Sequence, residues 1–190
     1  SSSVDTFRIV VAPVNQPPSF TKGADQTALE DAGLRTVPGW ATAISKGSSL
    51  ESSQSVGFRT SNDNNALFSG QPAISPEGTL TYTPADDANG SATVSVRLGD
   101  DGGTANGGID SSAIQTFTIA VTPVNDAPGF AKGSDQSVVQ NSSSRTIANW
   151  ATSISRGPAD ESGQSVGFRV SNDNDALFSA PPEISPGGTL

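Results

Sequence analysis

The 190-residue chain contains no cysteine, no histidine and no methionine. Disulfides, thiolate or imidazole metal sites and any histidine-based catalytic triad are therefore excluded. Whatever the chain binds, it binds through oxygen. Aromatic side chains are scarce, with two tryptophans and one tyrosine, so no aromatic-lined groove is available to a pair of sugar-cleaving carboxylates and enzyme activity is not expected. Positive charge is also short: Lys+Arg 10 against Asp+Glu 19 gives a net charge of −9, which repels nucleic acid and anionic lipid and favours cations as partners. No apolar run is long enough to cross a bilayer, so membrane insertion is not expected. Long amphipathic helical windows are missing, while 20 glycines and 13 prolines with 33% apolar residues suit many short strands joined by turns.

What the chain does have is an internal repeat. Pro13-Val14-Asn15-Gln16-Pro17-Pro18-Ser19-Phe20 returns 110 residues later as Pro123-Val124-Asn125-Asp126-Ala127-Pro128-Gly129-Phe130. Sliding the sequence by that period aligns residues 1–80 with 111–190 without a gap, and 46 of the 80 positions are identical. The matches include Trp40 with Trp150, Gly57-Phe58-Arg59 with Gly167-Phe168-Arg169, and Ser61-Asn62-Asp63-Asn64 with Ser171-Asn172-Asp173-Asn174. The expected organisation is a last strand of a preceding repeat in residues 1–13, a complete repeat in 14–123, and a following repeat in 124–190 that stops short of everything matching residues 81–122. The 190 residues thus read as a window on a longer run of repeats.

Alternation of apolar and polar residues places strands along the complete repeat. Phe7, Ile9 and Val11 share one face of residues 4–12, as do their copies in 114–121. Further short strands are expected at 25–29, 34–37, 40–44, 54–60 (Val56 and Phe58 inward) and 79–83 (Leu80 and Tyr82 to one side). The cleanest is Ala92, Val94, Val96 and Leu98 alternating with Thr93, Ser95 and Arg97. Ala66–Phe68 and Pro72–Ile74 read as an irregular edge. About seven such strands per 110 residues, with one tryptophan each, predict an all-β fold of tandem antiparallel immunoglobulin-like sandwiches. A barrel is the alternative. The expected core is Trp40, Phe58, Leu80, Tyr82, Val94, Val96, Phe117 and Ile119, with Trp40 and Trp150 as core residues in preference to a ligand platform.

The junctions Val-Asn-Asp-Ala-Pro-Gly-Phe and Val-Asn-Gln-Pro-Pro-Ser-Phe resemble the linker of cadherin-type repeats. Together with Gly78-Thr79-Leu80-Thr81-Tyr82-Thr83-Pro84, Asp100-Asp101-Gly102-Gly103 and Gln115-Thr116-Phe117-Thr118-Ile119, the pattern is similar to the tandem cadherin-like repeats of very large bacterial surface proteins. The resemblance implies repeats stacked end to end as extracellular stalks, adhesive arms or filaments, with calcium stiffening the junctions. Two departures stand out: Gln16 occupies the place of Asp126, and Glu30-Asp31 becomes Gln140-Asn141.

Calcium requires six to eight oxygens, hence several acidic loops at one pole. In an immunoglobulin-like sandwich the turns holding Glu30-Asp31 and Asp86-Asp87 face the C-terminal pole, where the linker with Asn125 and Asp126 leaves. Asp160 and Glu161 of the following repeat are expected to face the same junction and complete the ligand set. A second, weaker set comprises Asn15, Asp100 and Asp101. The plain alternative is ordinary Asx turns and solvated acids. Asn62–Asn65 and Asn172–Asp175 lack a terminal bidentate glutamate and read as turns. The expected function is a calcium-stiffened structural and adhesive spacer at the cell surface, whose partners are neighbouring repeats, other copies in a filament, or a cell-surface glycan. The rival is a carbohydrate- or protein-binding module.

Overall fold

A computed structural model describes residues 2–190, and the chain is all-β apart from short 3-10 turns. It divides into two compact units, Ser1–Pro123 and Val124–Leu190.

The first unit contains nine strands: β1 (Ser19–Thr21), β2 (Gln26–Leu29), β3 (Arg35–Val37), β4 (Thr42–Ser45), β5 (Val56–Asn62), β6 (Phe68–Ile74), β7 (Leu80–Pro84), β8 (Gly90–Asp100) and β9 (Gln115–Thr122). They form a four-stranded sheet ordered β2-β9-β8-β5, a three-stranded sheet β3-β7-β6 and the pair β1-β4. The alternation expected of β8 is realised: Ala92, Val94, Val96 and Leu98 are at most 1% exposed. The same core holds Phe117, Ile119 and Val121 of the neighbouring β9, Leu80 and Tyr82 of β7, Phe68 and Ile74 of β6, and Phe20 and Trp40. Full burial of each Val or Leu contributes about 1.5–3 kcal/mol. Phe58, expected fully inside, is half-buried and packs against this core, its ring edge-on to Phe20 at 5.1 Å.

Several expectations need correction. The sheet is not wholly antiparallel: β2 runs parallel to β9, Gln26 opposite Ile119 through Leu29 opposite Thr122. Side-chain alternation is the same in either direction, so periodicity carries no information on strand sense. Residues 4–12 form no strand; Phe7, Ile9 and Val11 are 74–86% exposed, because alternation makes a strand only when a neighbouring strand takes up the backbone N–H and C=O groups. Of the two apolar fragments, Ala66 and Leu67 fall in a 3-10 turn, while Phe68 and 72–74 belong to one strand, β6, whose register slips twice on β7; its edge position tolerates Pro72. β1 was not expected at all. It is too short to alternate, and Ala43, at φ 49°, forms a bulge that lets it pair with β4.

The second unit repeats local features of the first. β10 (Gly129–Ala131) pairs with β11 (Thr152–Ser155), with Ser153 bulged as Ala43 is. Phe130 meets Phe168 edge-on at 5.0 Å. Trp150 donates from Nε1 to the Ser134 carbonyl at 2.9 Å, as Trp40 does to Ala24. Residues 166–172 and 178–184, the copies of β5 and β6, are not strands. In the first unit those strands pair with β8 and β7, and positions 81–122 have no copies among the 190 residues.

Candidate cation sites

In the first unit the linker residue Asn15 is a plug between loops. Its Oδ1 accepts from Gln54 Nε2 at 2.7 Å, and its Nδ2 donates to Asp100 Oδ1 at 2.8 Å and to the Ile109 carbonyl at 2.9 Å. Asp101 Oδ1 accepts from the Ser55 N–H at 2.9 Å. Asn15 and Asp100 therefore come together through the amide nitrogen of Asn15, and Asp101 holds a different loop. Asp100 Oδ2 and Gln54 Oε1 are buried without a hydrogen-bond partner.

Beside that plug, Gln16 donates its backbone N–H to Glu51 Oε1 at 2.7 Å. Glu51 closes a capping box on the 3-10 turn Ser49–Glu51: its Oε2 accepts from the Ser48 N–H at 2.5 Å, and Ser48 Oγ accepts from the Leu50 N–H at 3.2 Å. Glu51 stood outside the first unit's expected ligands. Its signal is legible as Ser-x-x-Glu, and Glu161 is its copy.

At the other end of the same unit, Glu30 follows β2 and is 1% exposed; its N–H bonds the Thr122 carbonyl at 3.0 Å. Asn89 Nδ2 donates to Glu30 Oε2 at 3.3 Å. The Asp87 N–H donates to Asp31 Oδ1 at 3.2 Å, and carboxylate oxygens of these two aspartates lie within 4.8 Å. Both residues turn at positive φ, 58° and 55°, a conformation Asp tolerates better than most. Asp31 and Asp87 are thus brought together, while the Glu30 carboxylate is engaged by the Asn89 amide. Asp86 is exposed beside them.

In the second unit Asn125 and Asp126 meet the 3-10 turn Ala159–Glu161. The Asp126 N–H donates to Glu161 Oε1 at 2.6 Å, and Gln164 Nε2 donates to Asn125 Oδ1 at 3.1 Å. Glu161 is 5% exposed, and its Oε2 is buried without a hydrogen-bond partner. Asp160 is exposed on the same turn. The ordinary fate of a buried carboxylate oxygen is a donor or a cation, and no lysine or arginine forms an ion pair with Glu161 among the described residues.

Comparison with known proteins gave nothing to set beside this geometry: no family model, no curated protein and no solved structure matches the chain. Among the described residues no helix is long and apolar enough to cross a membrane.

Proposed function

We propose that the chain is a structural and adhesive repeat segment of a long extracellular bacterial surface protein or filament, built from immunoglobulin- or cadherin-like sandwiches and stiffened by calcium. The observation that supports this reading most is the buried, unpartnered Oε2 of Glu161, on the same turn that grips the backbone of Asp126. A hard cation accepts carboxylate and amide oxygens and needs no sulfur or imidazole, in keeping with a chain that has neither cysteine nor histidine. Bound there, it ties the linker residues to the body of the unit and stiffens the spacer. Catalysis has no part in this reading.

Extracellular calcium modules bind at about 10⁻⁴–10⁻³ M. Calcium at about 5 mM is then expected to stabilise the cation-holding unit by roughly 1–2 kcal/mol. Calorimetry of the 190-residue chain in calcium and in chelator tests this, and identical melts in the two conditions would refute it.

A second reading, a module that binds an acidic glycan, is favoured by one observation. Arg59 of β5 and Arg97 of β8 stand directly opposite each other on an exposed sheet face. Like charges so placed repel, and neither arginine forms an ion pair among the described residues. They line a shallow concavity of about 630 Å³ with Ser61 and Ser95. Binding of a sulfated oligosaccharide that survives Arg59→Ala/Arg97→Ala would dismiss this reading.

A further inference from the structure

The two copies of the glutamate turn satisfy the same carboxylate in different ways. In the first unit Glu51 has a backbone donor on each oxygen, Gln16 N–H on Oε1 and Ser48 N–H on Oε2. In the second, Pro158 replaces Ser48, and proline has no N–H to give. Glu161 keeps the donor on Oε1 from Asp126, while its Oε2 is left buried and unpartnered. The rest of the turn is retained. Gly47 and Gly157 both sit at positive φ, 112° and 131°, with the glutamate Oε2 where a Cβ would stand; Ser48 and Pro158 have nearly the same backbone, φ −85° and −61° with ψ close to extended.

The second exchange works in the same direction. Gln16 is neutral and Asp126 is an acid, so the linker residue that donates to the turn is acidic in the copy where the turn has lost its other donor. The first turn holds one carboxylate with two N–H donors, and its charge is compensated from within. The second leaves Glu161 with one backbone donor, the Asp126 N–H on Oε1, and that donor now comes from an acidic linker residue. Leaving a buried charged acceptor without a partner costs more than a neutral one, and a divalent cation supplies the partner that Glu161 Oε2 lacks.

We infer that the Ser48/Pro158 and Gln16/Asp126 exchanges act as a switch that makes the linker turn of the second repeat depend on a hard divalent cation while that of the first folds without one. This inference rests on the calcium reading above and adds to it which turn takes the ion and what exempts the other. The bound ion takes Glu161 Oε2, on the turn whose Oε1 accepts from the Asp126 N–H, so that the acidic linker residue stands beside it. The rule extends to any repeat of this sequence type: Ser-x-x-Glu after a neutral linker residue is self-capped, and Pro-x-x-Glu after an acidic one is cation-capped.

The test is a titration of the full 190-residue chain with calcium chloride, read by calorimetry and by the backbone amide resonances of positions 16 and 126. In the wild type the amide of Asp126 is expected to move with a midpoint near 10⁻⁴–10⁻³ M, and that of Gln16 to stay. Pro158→Ser restores a donor to Glu161 and is expected to weaken the response at Asp126 at least tenfold. Ser48→Pro combined with Gln16→Asp is expected to add one bound ion and a calcium response at position 16, a gain that misfolding cannot imitate. Equal responses at both positions in the wild type, unchanged affinity in Pro158→Ser, or no added ion in the double variant each overturn the switch and leave the calcium reading standing. No response at Asp126 up to about 10 mM calcium overturns both.

Discussion

Replacing Trp40 by phenylalanine tests the core more sharply than truncation, because the matching replacement of Trp150 supplies an internal reference. Trp40 is 3% exposed, lies 4.4 Å from Phe117 between ring centroids, and donates to the Ala24 carbonyl at 2.9 Å. The Trp40→Phe change leaves that carbonyl without its donor, at about 1–2 kcal/mol. It also removes part of a bicyclic ring from a packed site, at about another 1–2 kcal/mol. The expected loss is therefore about 2–4 kcal/mol. Trp150 makes the same bond to Ser134, but that bond is exposed and the residue is only half-buried, so Trp150→Phe is expected to cost under about 1 kcal/mol. Urea unfolding followed by far-ultraviolet circular dichroism separates the cases. With a slope near 1.5 kcal/mol/M, the first variant shifts the midpoint of the first unit by roughly 1.3–2.7 M. A shift below about 0.5 M, or equal losses for the two tryptophans, would refute the account of Trp40 as a packed core residue.

Asn15→Ala removes the acceptor for Gln54 and the donors to Asp100 and the Ile109 carbonyl; a loss of about 2–3 kcal/mol is expected, read as a lower melting temperature of the first unit. Gly78 sits at φ 89° with the Ala41 carbonyl where a Cβ would be, so Gly78→Ala is expected to cost at least about 2 kcal/mol and a neutral result would contradict the geometry. Burial raises the pKa of the Tyr82 hydroxyl above its ordinary 10.0, with Arg35 offsetting part of the rise. Its neutral form is therefore favoured by folding: that contribution is whole below about pH 10 and is lost as pH rises through the folded value. Tyr82 is the sole tyrosine, so absorbance follows its ionisation directly, and in Tyr82→Phe the part of the alkaline stability loss due to this residue is expected to vanish.

Alternation made β8 readable because all four inward residues of Ala92–Leu98 face one core. It also placed β5, β7 and β9 within two residues of their observed ends. It could not show that β2 lies parallel to β9, since strand sense is decided by where the chain returns. It raised an expectation for residues 4–12 that pairing alone could satisfy. Among candidate ligands, Asp31 and Asp87 were visible as acids in turns. The part played by Glu161 was not visible, because whether a carboxylate has spare oxygen depends on a backbone donor three residues away, and that information lies in the unremarked difference between Ser48 and Pro158.

The parallel pairing of β2 with β9 has a mechanical consequence. A tension along the chain pulls β2 backward from its start at Gln26 and pulls β9 forward from its end at Thr122. On neighbouring strands that run the same way, these two forces point in opposite directions along the ladder from Gln26–Ile119 to Leu29–Thr122. The hydrogen bonds between them are then loaded together in shear, and yielding requires several to break at once. Had β2 run antiparallel to β9, the same tension would have opened the pair from one end, one bond at a time. The direction of a four-residue strand thus sets whether the first unit resists stretching as a clasp or gives way as a zip.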